Sequence, residues 1–337
     1  MSVARRSTRH TGIVCAALLV AVAAAVVASL FVGSRAVPAN EVLLVLRGAG
    51  TAEIRGIVWD LRVPRTLIAF AVGASLALAG ALAQAWTRNP LADPGFIGIT
   101  AGASCAMAIG AVLGVSATVT GSLTFAFGGA AAATGVVMLI ARRSLSPLTL
   151  ILAGVGVDAA LRSVATLLGL FDTEVFDSMR HWVVGSTFGR GYAEAAVAWA
   201  GCAVGGVCAL FAARPLDLLA MGRDTSLALG GSERRAHVGA AAGIVLLAGS
   251  ATAAAGPVAF VGFAAPHIMR RLVGPQLTVL LVPAALFGGT IVLLADVLGR
   301  LVLSPGELEM SIVIAFIGAP LLIAAVHRGE GANKTVI

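Results

Sequence analysis

The stretch Thr66-Leu-Ile-Ala-Phe-Ala-Val-Gly-Ala-Ser-Leu-Ala-Leu-Ala-Gly-Ala-Leu-Ala-Gln-Ala-Trp86 decides what kind of chain this is. No charged side chain falls between Arg65 and Arg88. Wound as a helix at about 1.5 Å per residue, the stretch covers roughly 30 Å, the thickness of bilayer hydrocarbon. Gly73, Ala77, Gly80 and Ala81 recur at spacings that let helices approach closely, as in a packed membrane bundle.

The pattern repeats outward along all 337 residues. At 59% hydrophobic and 12% charged residues, with mean hydropathy +0.99, the chain is excluded from the soluble globular class. Charges, prolines and glycines bound apolar segments near 13–32, 64–86, 95–114, 119–141, 149–170, 194–213, 237–256, 258–273, 277–301 and 308–327. The expected fold is an all-α membrane protein of about ten transmembrane helices in a single domain, 1–337. The eighth segment is the weakest, being short and ending in Arg270 and Arg271. Arg5, Arg6 and Arg9 ahead of the first run imitate a secretory signal, but a run of this length followed by further spans reads as an uncleaved first helix. Gly128, Gly129 and Gly135 extend the small-residue pattern to the fourth segment.

An even number of spans puts both termini on one side, and the distribution of cations makes that side cytoplasmic. The inner set is Arg88, Arg142, Arg143, Arg214, Arg223, Arg234, Arg235, Arg270, Arg271, Arg328 and Lys334 with the N-terminal arginines. The first external loop breaks the pattern with Arg35, Arg47, Arg55, Arg62 and Arg65, partly balanced by Glu41, Glu53 and Asp60. A second external stretch, 171–193, carries Asp172, Glu174, Asp177, Arg180 and Trp182, the last suited to an interfacial anchor. An internal stretch, 214–236, is broken by Gly222, Gly230 and Gly231 and is large enough to receive another protein.

Several classes of chemistry are excluded. The pI near 10.5 comes from arginines dispersed between apolar segments, so nucleic acid is not the partner. There is no GxxxxGK[ST] loop, and Lys334 is the only lysine, so no phosphate cradle of that type exists here. No HExxH occurs, the five histidines are scattered, and Cys15, Cys105, Cys202 and Cys208 show no CxxC spacing. No catalytic residue, metal site or cofactor of the chain's own is expected, and a lipid-processing membrane enzyme would need a clustered acid, base or metal set that is missing.

The charges within spans are few. Asp158 and Arg162 are four apart on the fifth segment, Asp296 and Arg300 four apart on the ninth, so each pair can meet on one helix face. Neutralisation alone accounts for such pairs. A proton relay would prefer unpaired acids, which argues against an ion-coupled secondary transporter; no internal repeat of the kind those proteins carry is evident either.

The stretches Arg62-Val-Pro-Arg65, Gly73 through Gln84, Thr87-Arg-Asn-Pro-Leu-Ala-Asp-Pro-Gly95, Leu152-Ala-Gly154, Phe260-Val-Gly262 with Pro266-His267, Ala295-Asp296 with Arg300, and Ile317-Gly-Ala-Pro320 resemble the FecCD family of permeases over nearly the whole chain. Those serve importers of iron-siderophores, haem and vitamin B12. The resemblance implies a type II ABC importer permease working by alternating access, paired with a second permease, identical or homologous. It also implies a cytoplasmic ATPase dimer that holds ATP and Mg, an extracytoplasmic substrate-binding protein, and a place in a bacterial inner membrane. An iron(III) chelate is the expected cargo, with haem and vitamin B12 as alternatives. By the same resemblance Arg62, Arg65 and Arg300 match arginines that dock the binding protein, Asn89 and Leu91 match a cytoplasmic gate, and Leu216, Gly222, Asp224, Leu229 and Gly230 match the segment seated in the ATPase.

Overall fold

The computed structural model describes residues 2–142, 147–303 and 306–333, with side chains from 10 to 323 apart from 143–147, 174, 178, 181, 304, 305 and 321. Arg143 and Lys334 of the expected inner set lie outside the described residues, as do the side chains of Arg5, Arg6, Arg9 and Arg328. The described residues form helices and connecting turns, without a strand.

Helix α4, Val63–Thr87, is the stretch quoted first, and it runs through the middle of the bundle with nearly every side chain buried. Pro64 is pre-set for its first turn, where its missing N–H costs nothing, and Arg88 closes it in the left-handed conformation with φ 51°. Before it come α1 (Ser2–Phe31), α2 (Ala39–Leu46), α3 (Ala52–Arg55) and a π-helical stretch, Gly56–Arg62, that feeds into α4 without a break. Then follow α5 (Ile99–Val112), α6 (Val119–Ala141), α7 (Pro147–Phe171), α8 (Thr173–Val183), α9 (Tyr192–Ala220) and α10 (Arg223–Ala228). The last five are α11 (Glu233–Ile244), α12 (Ser250–Ala255), α13 (Val261–Val273), α14 (Leu277–Val302) and α15 (Met310–Asn333).

Each apolar segment of the sequence meets helix, and among the described residues seven helical stretches are long and apolar enough to cross a membrane. The third and eighth segments differ. Helix α5 has 14 residues and α13 has 13, about 20 Å each, short of the roughly 30 Å of hydrocarbon. Helix α13 is cut off from α12 by Gly256, at φ 77°, and by Phe260, a bulky residue held at φ 67°.

Glycine at the crossings brings backbones together. A Cβ on Gly80 would stand 1.8 Å from the Gly262 carbonyl oxygen of α13, and one on Gly73 would stand 2.3 Å from that of Gly288 in α14. Gly102 of α5 and Gly129 of α6 meet in the same way, at 2.3 Å in each direction. Gly128 and Gly135, read as part of the same pattern, face open space. Gln84 spans the α4–α13 contact by donating to the carbonyls of Gly262 and Phe263 at 3.4 and 3.2 Å.

Two further readings need correction. Trp182 is not an interfacial anchor but is 5% exposed, packed in the core. The sixth span does not end near 213: α9 continues through Pro215 to Ala220, so Leu216 is a buried helix residue and the connection that follows shrinks to the turns around α10.

Candidate functional sites on the two ends of the bundle

At one end, a cluster of ionic groups is assembled around the last turn of α1. The final carbonyls of a helix have no partner within it and carry the negative end of its dipole. Arg62 donates to the carbonyls of Leu30 at 2.8 Å, Phe31 at 3.1 Å and Arg35 at 2.9 Å. Arg300, from α14, donates to the carbonyls of Ser29 at 2.9 Å and Val32 at 3.2 Å, and to the Ser29 hydroxyl at 3.3 Å. Both guanidiniums therefore cap α1, and they are 4% and 2% exposed.

Asp296 offsets part of this positive charge. It pairs with Arg300 one turn along α14, accepts from the Thr187 hydroxyl, and receives Arg65 at 2.9 Å. Arg65 in turn bridges to Glu307 at 2.6 Å, and Glu307 also accepts from the Ser34 hydroxyl at 2.8 Å. The sequence reading named Arg62, Arg65, Arg300 and Asp296 but missed Glu307, Thr187 and Ser34. Glu307 stands beside a proline and glycine between the ninth and tenth segments, the signal that could have found it.

The expectation that these arginines face a docking protein is altered by their geometry. Arg62 and Arg300 point inward to carbonyls, because burying a guanidinium requires that its donors be met. Arg65, whose side chain is 11% exposed, stands nearest the surface of the three. The openly exposed cations of this region are Arg35, paired with Glu53 at 2.6 Å, together with Arg47 and Arg55. A cavity of about 660 Å³ opens beside the cluster, lined among others by Ser34, Trp182, Arg190, Glu194, Glu307 and Glu309.

At the other end, α4 stops at a compact turn. The Asn89 carboxamide oxygen accepts the Leu91 N–H at 2.9 Å, and Asp93 caps the next turn by accepting the Gly95 N–H at 2.9 Å. Leu91 projects outward, 43% exposed. Burial pushes the Asp93 carboxyl above its ordinary range, with the Gly95 N–H acting against the shift. Arg88 donates to the Leu219 carbonyl at 2.7 Å and Trp86 to His237 Nδ1 at 2.7 Å, tying this end of α4 to α9 and α11. Asp217 accepts the N–H groups of Leu277 and Thr278 at 2.7 and 3.1 Å, which caps α14.

From that floor α10 projects as a knob. Gly222, at φ 106°, turns the chain into it and Gly230, at φ 74°, turns it out, conformations that other residues rarely adopt. Asp224 lies exposed in its first turn, and Met221, Leu227 and Leu229 are 63%, 56% and 57% exposed.

On α7 Asp158 and Arg162 form their ion pair at 2.7 Å. Unlike Asp296 and Arg300 they sit on the outside of the bundle, with side chains 30% and 53% exposed.

An all-helical bundle with several membrane-length helices among the described residues is a multi-span membrane protein. The chain belongs to the FecCD transport family, whose description matches residues 16–328. It is 40% identical over 320 residues to the ferric enterobactin transport system permease protein FepD of Escherichia coli (strain K12), covering 92% of this chain and 94% of that one. Over 275 residues it is 36% identical to the Fe(3+)-citrate import system permease protein YfmD of Bacillus subtilis (strain 168), covering 81% and 82%. A solved metal-chelate type ABC transporter in an inward-facing conformation superposes with a TM-score of 0.82 at 27% identity, over 94% of this chain and 99% of that one.

Proposed function

We propose that the chain is the membrane half of an ATP-driven importer that carries an iron(III) chelate inward across a bacterial cytoplasmic membrane. The observation that carries this reading is end-to-end similarity to FepD, a ferric enterobactin permease, over 92% of the chain. The α10 knob supports it: three exposed apolar side chains on and flanking a short helix that carries an acid suit the groove of a cytoplasmic ATPase. With that knob inside, both termini are cytoplasmic and the α1-capping cluster faces outward, toward an extracytoplasmic binding protein.

Two copies of the chain, or this chain and a homologue, would enclose the path, and ATP bound by the partner would set which side is open. Asn89 and Leu91 stand where the path would close on the inner side. Docking of the binding protein would fall to Arg65 and the exposed cations about it, with Arg62 and Arg300 holding the platform. The test is uptake of radiolabelled iron(III) chelate by proteoliposomes holding the assembled complex. Uptake requires ATP inside and the binding protein outside; uptake that proceeds without the ATPase and collapses with an uncoupler overturns the reading.

A further inference from the structure

Helix α7 carries its polar side chains in the wrong place for a helix that faces lipid. A lipid-facing span keeps its polar groups at its ends, where water and headgroups reach them. In α7, Leu148, Leu152 and Val155 lie exposed toward one end and Leu167, Leu170 and Phe171 toward the other. The exposed polar residues lie between them: Arg162, Ser163 and Thr166, with Asp158 partly exposed one position from the midpoint of Pro147–Phe171.

Neutralisation explains why a charge pair survives in a membrane, but not why it lies on the outside of the bundle. The comparison within the molecule is direct. Asp296 and Arg300, also four apart, are enclosed by the capping cluster with side chains 2% exposed, whereas the Arg162 side chain is 53% exposed. Of its donors only Nε is engaged, with Asp158, which leaves both amino groups turned outward without a partner among the described residues. Ser163 spends its proton on the Ala159 carbonyl, so its oxygen faces out as an acceptor.

We propose that the two free amino groups of Arg162, reached through a water-filled path along this face of α7, form a mid-membrane binding site for an anionic oxygen ligand, the cargo in transit. The inference rests on the iron(III)-chelate reading above for the identity of the cargo, but not for the placement of the helix face. A planar fork of donors suits the negatively charged oxygens around a chelated iron(III), and Asp158 keeps the empty site neutral.

The test uses the full chain in cells that produce the whole importer. In a background with Cys15, Cys105, Cys202 and Cys208 replaced by alanine, Ser163→Cys should react with a charged, membrane-impermeant thiol reagent in the assembled complex. A cysteine there that only a lipid-soluble reagent reaches, or that none reaches, overturns the water-filled path. Uptake of iron(III) tris-catecholate, a trianion, should fall about tenfold in Arg162→Gln and less in Arg162→Lys, with the protein still co-purifying with its ATPase. Equal uptake by wild type and Arg162→Gln overturns the binding site, and so does loss of the assembled complex in both variants, which would make the pair a subunit contact. Wild-type cells that import no iron(III) chelate overturn the proposed function and the cargo with it, while the labelling result still decides the path.

Discussion

Arg65 and Glu307 are joined at 2.6 Å across 242 positions of sequence, one on α4 and the other between α14 and α15. The contact closes the outer end of a chain of charges that begins at the capped carbonyls of α1. It also occupies the most accessible arginine of the cluster with a carboxylate from the same molecule. A carboxylate arriving from a docking protein would have to exchange with Glu307, since one fork holds few such partners at once.

Glu307→Gln should therefore tighten association with the extracytoplasmic binding protein, by about threefold to tenfold at low salt, with the gain shrinking as salt is raised. Titration of the binding protein onto nanodisc-held complex at two ionic strengths measures it. Affinity that is unchanged or lower would mean that Arg65 is a structural residue like Arg62 and Arg300.

Arg300→Leu removes two roles together, the pairing with Asp296 and the cap on α1. Asp296 keeps Arg65 as a partner in that variant, so the cost comes from the α1 carbonyls left without donors, about 1–3 kcal/mol each. Asp296→Asn keeps an acceptor for the Thr187 hydroxyl and for Arg65 but strands Arg300 without a carboxylate, and breaking a buried pair from one side costs about 3–5 kcal/mol. Thermal unfolding in detergent should place both variants below wild type; an Asp296→Asn variant as stable as wild type would mean that the pairing contributes little.

Helix crossings supply a contrast with an internal control. Gly80→Ala sets a methyl group against the Gly262 backbone, which cannot rotate away, and overpacking of this kind costs about 1–3 kcal/mol or more. Gly128→Ala meets nothing within 4 Å and gains the better helix former. The first should lower the unfolding temperature in detergent and the second should leave it level or raise it.

That contrast marks what the sequence could and could not disclose. Apolar length and the spacing of charges made the helices legible, because in a bilayer backbone groups must be satisfied within each segment. Small-residue spacing, however, is the same for Gly80 and Gly128, and only the position of a neighbouring helix separates them. That Arg62 and Arg300 cap α1 was not legible, because the carbonyls they meet belong to every residue and leave no mark in composition. Trp182 was misplaced for a similar reason: an indole suits an interface or a core equally well, and α8 folds it inward. Asp158 and Arg162 were legible as a pair through their four-residue spacing, but their exposure belongs to the packing of α7.

Asp93 yields a pH signature in the turn that follows α4. Its carboxyl is raised above the ordinary 3.8 by burial, so just above that value the folded chain holds a proton that the unfolded chain has released. This contribution is most favourable in acid, declines as the pH rises through the folded-state pKa, and is constant beyond it. Asp93→Asn keeps an acceptor for the Gly95 N–H and cannot ionise. The variant should be at least as stable as wild type at pH 7.5, with the gain set by about 1.4 kcal/mol for each tenfold in proton affinity. Melting curves across pH 4–8 that run parallel for the two proteins would contradict this.

The α10 knob has the clearest surface consequence. Leu227 and Leu229 are more than half exposed, so replacing both with serine removes apolar area that the isolated chain does not bury. Folding should be nearly unaffected, within about 0.5 kcal/mol as for other surface substitutions. Association with the ATPase should weaken at least tenfold, because exposed apolar anchors at the centre of an interface carry about 2 kcal/mol or more. Asp224→Ala should do less, since a rim charge acts mainly on the rate of encounter. Co-purification and stimulated ATP hydrolysis distinguish the cases. A Leu227→Ser, Leu229→Ser variant that retains its melting temperature but loses the ATPase assigns the knob to the motor contact; one that retains both places the contact elsewhere on the inner floor.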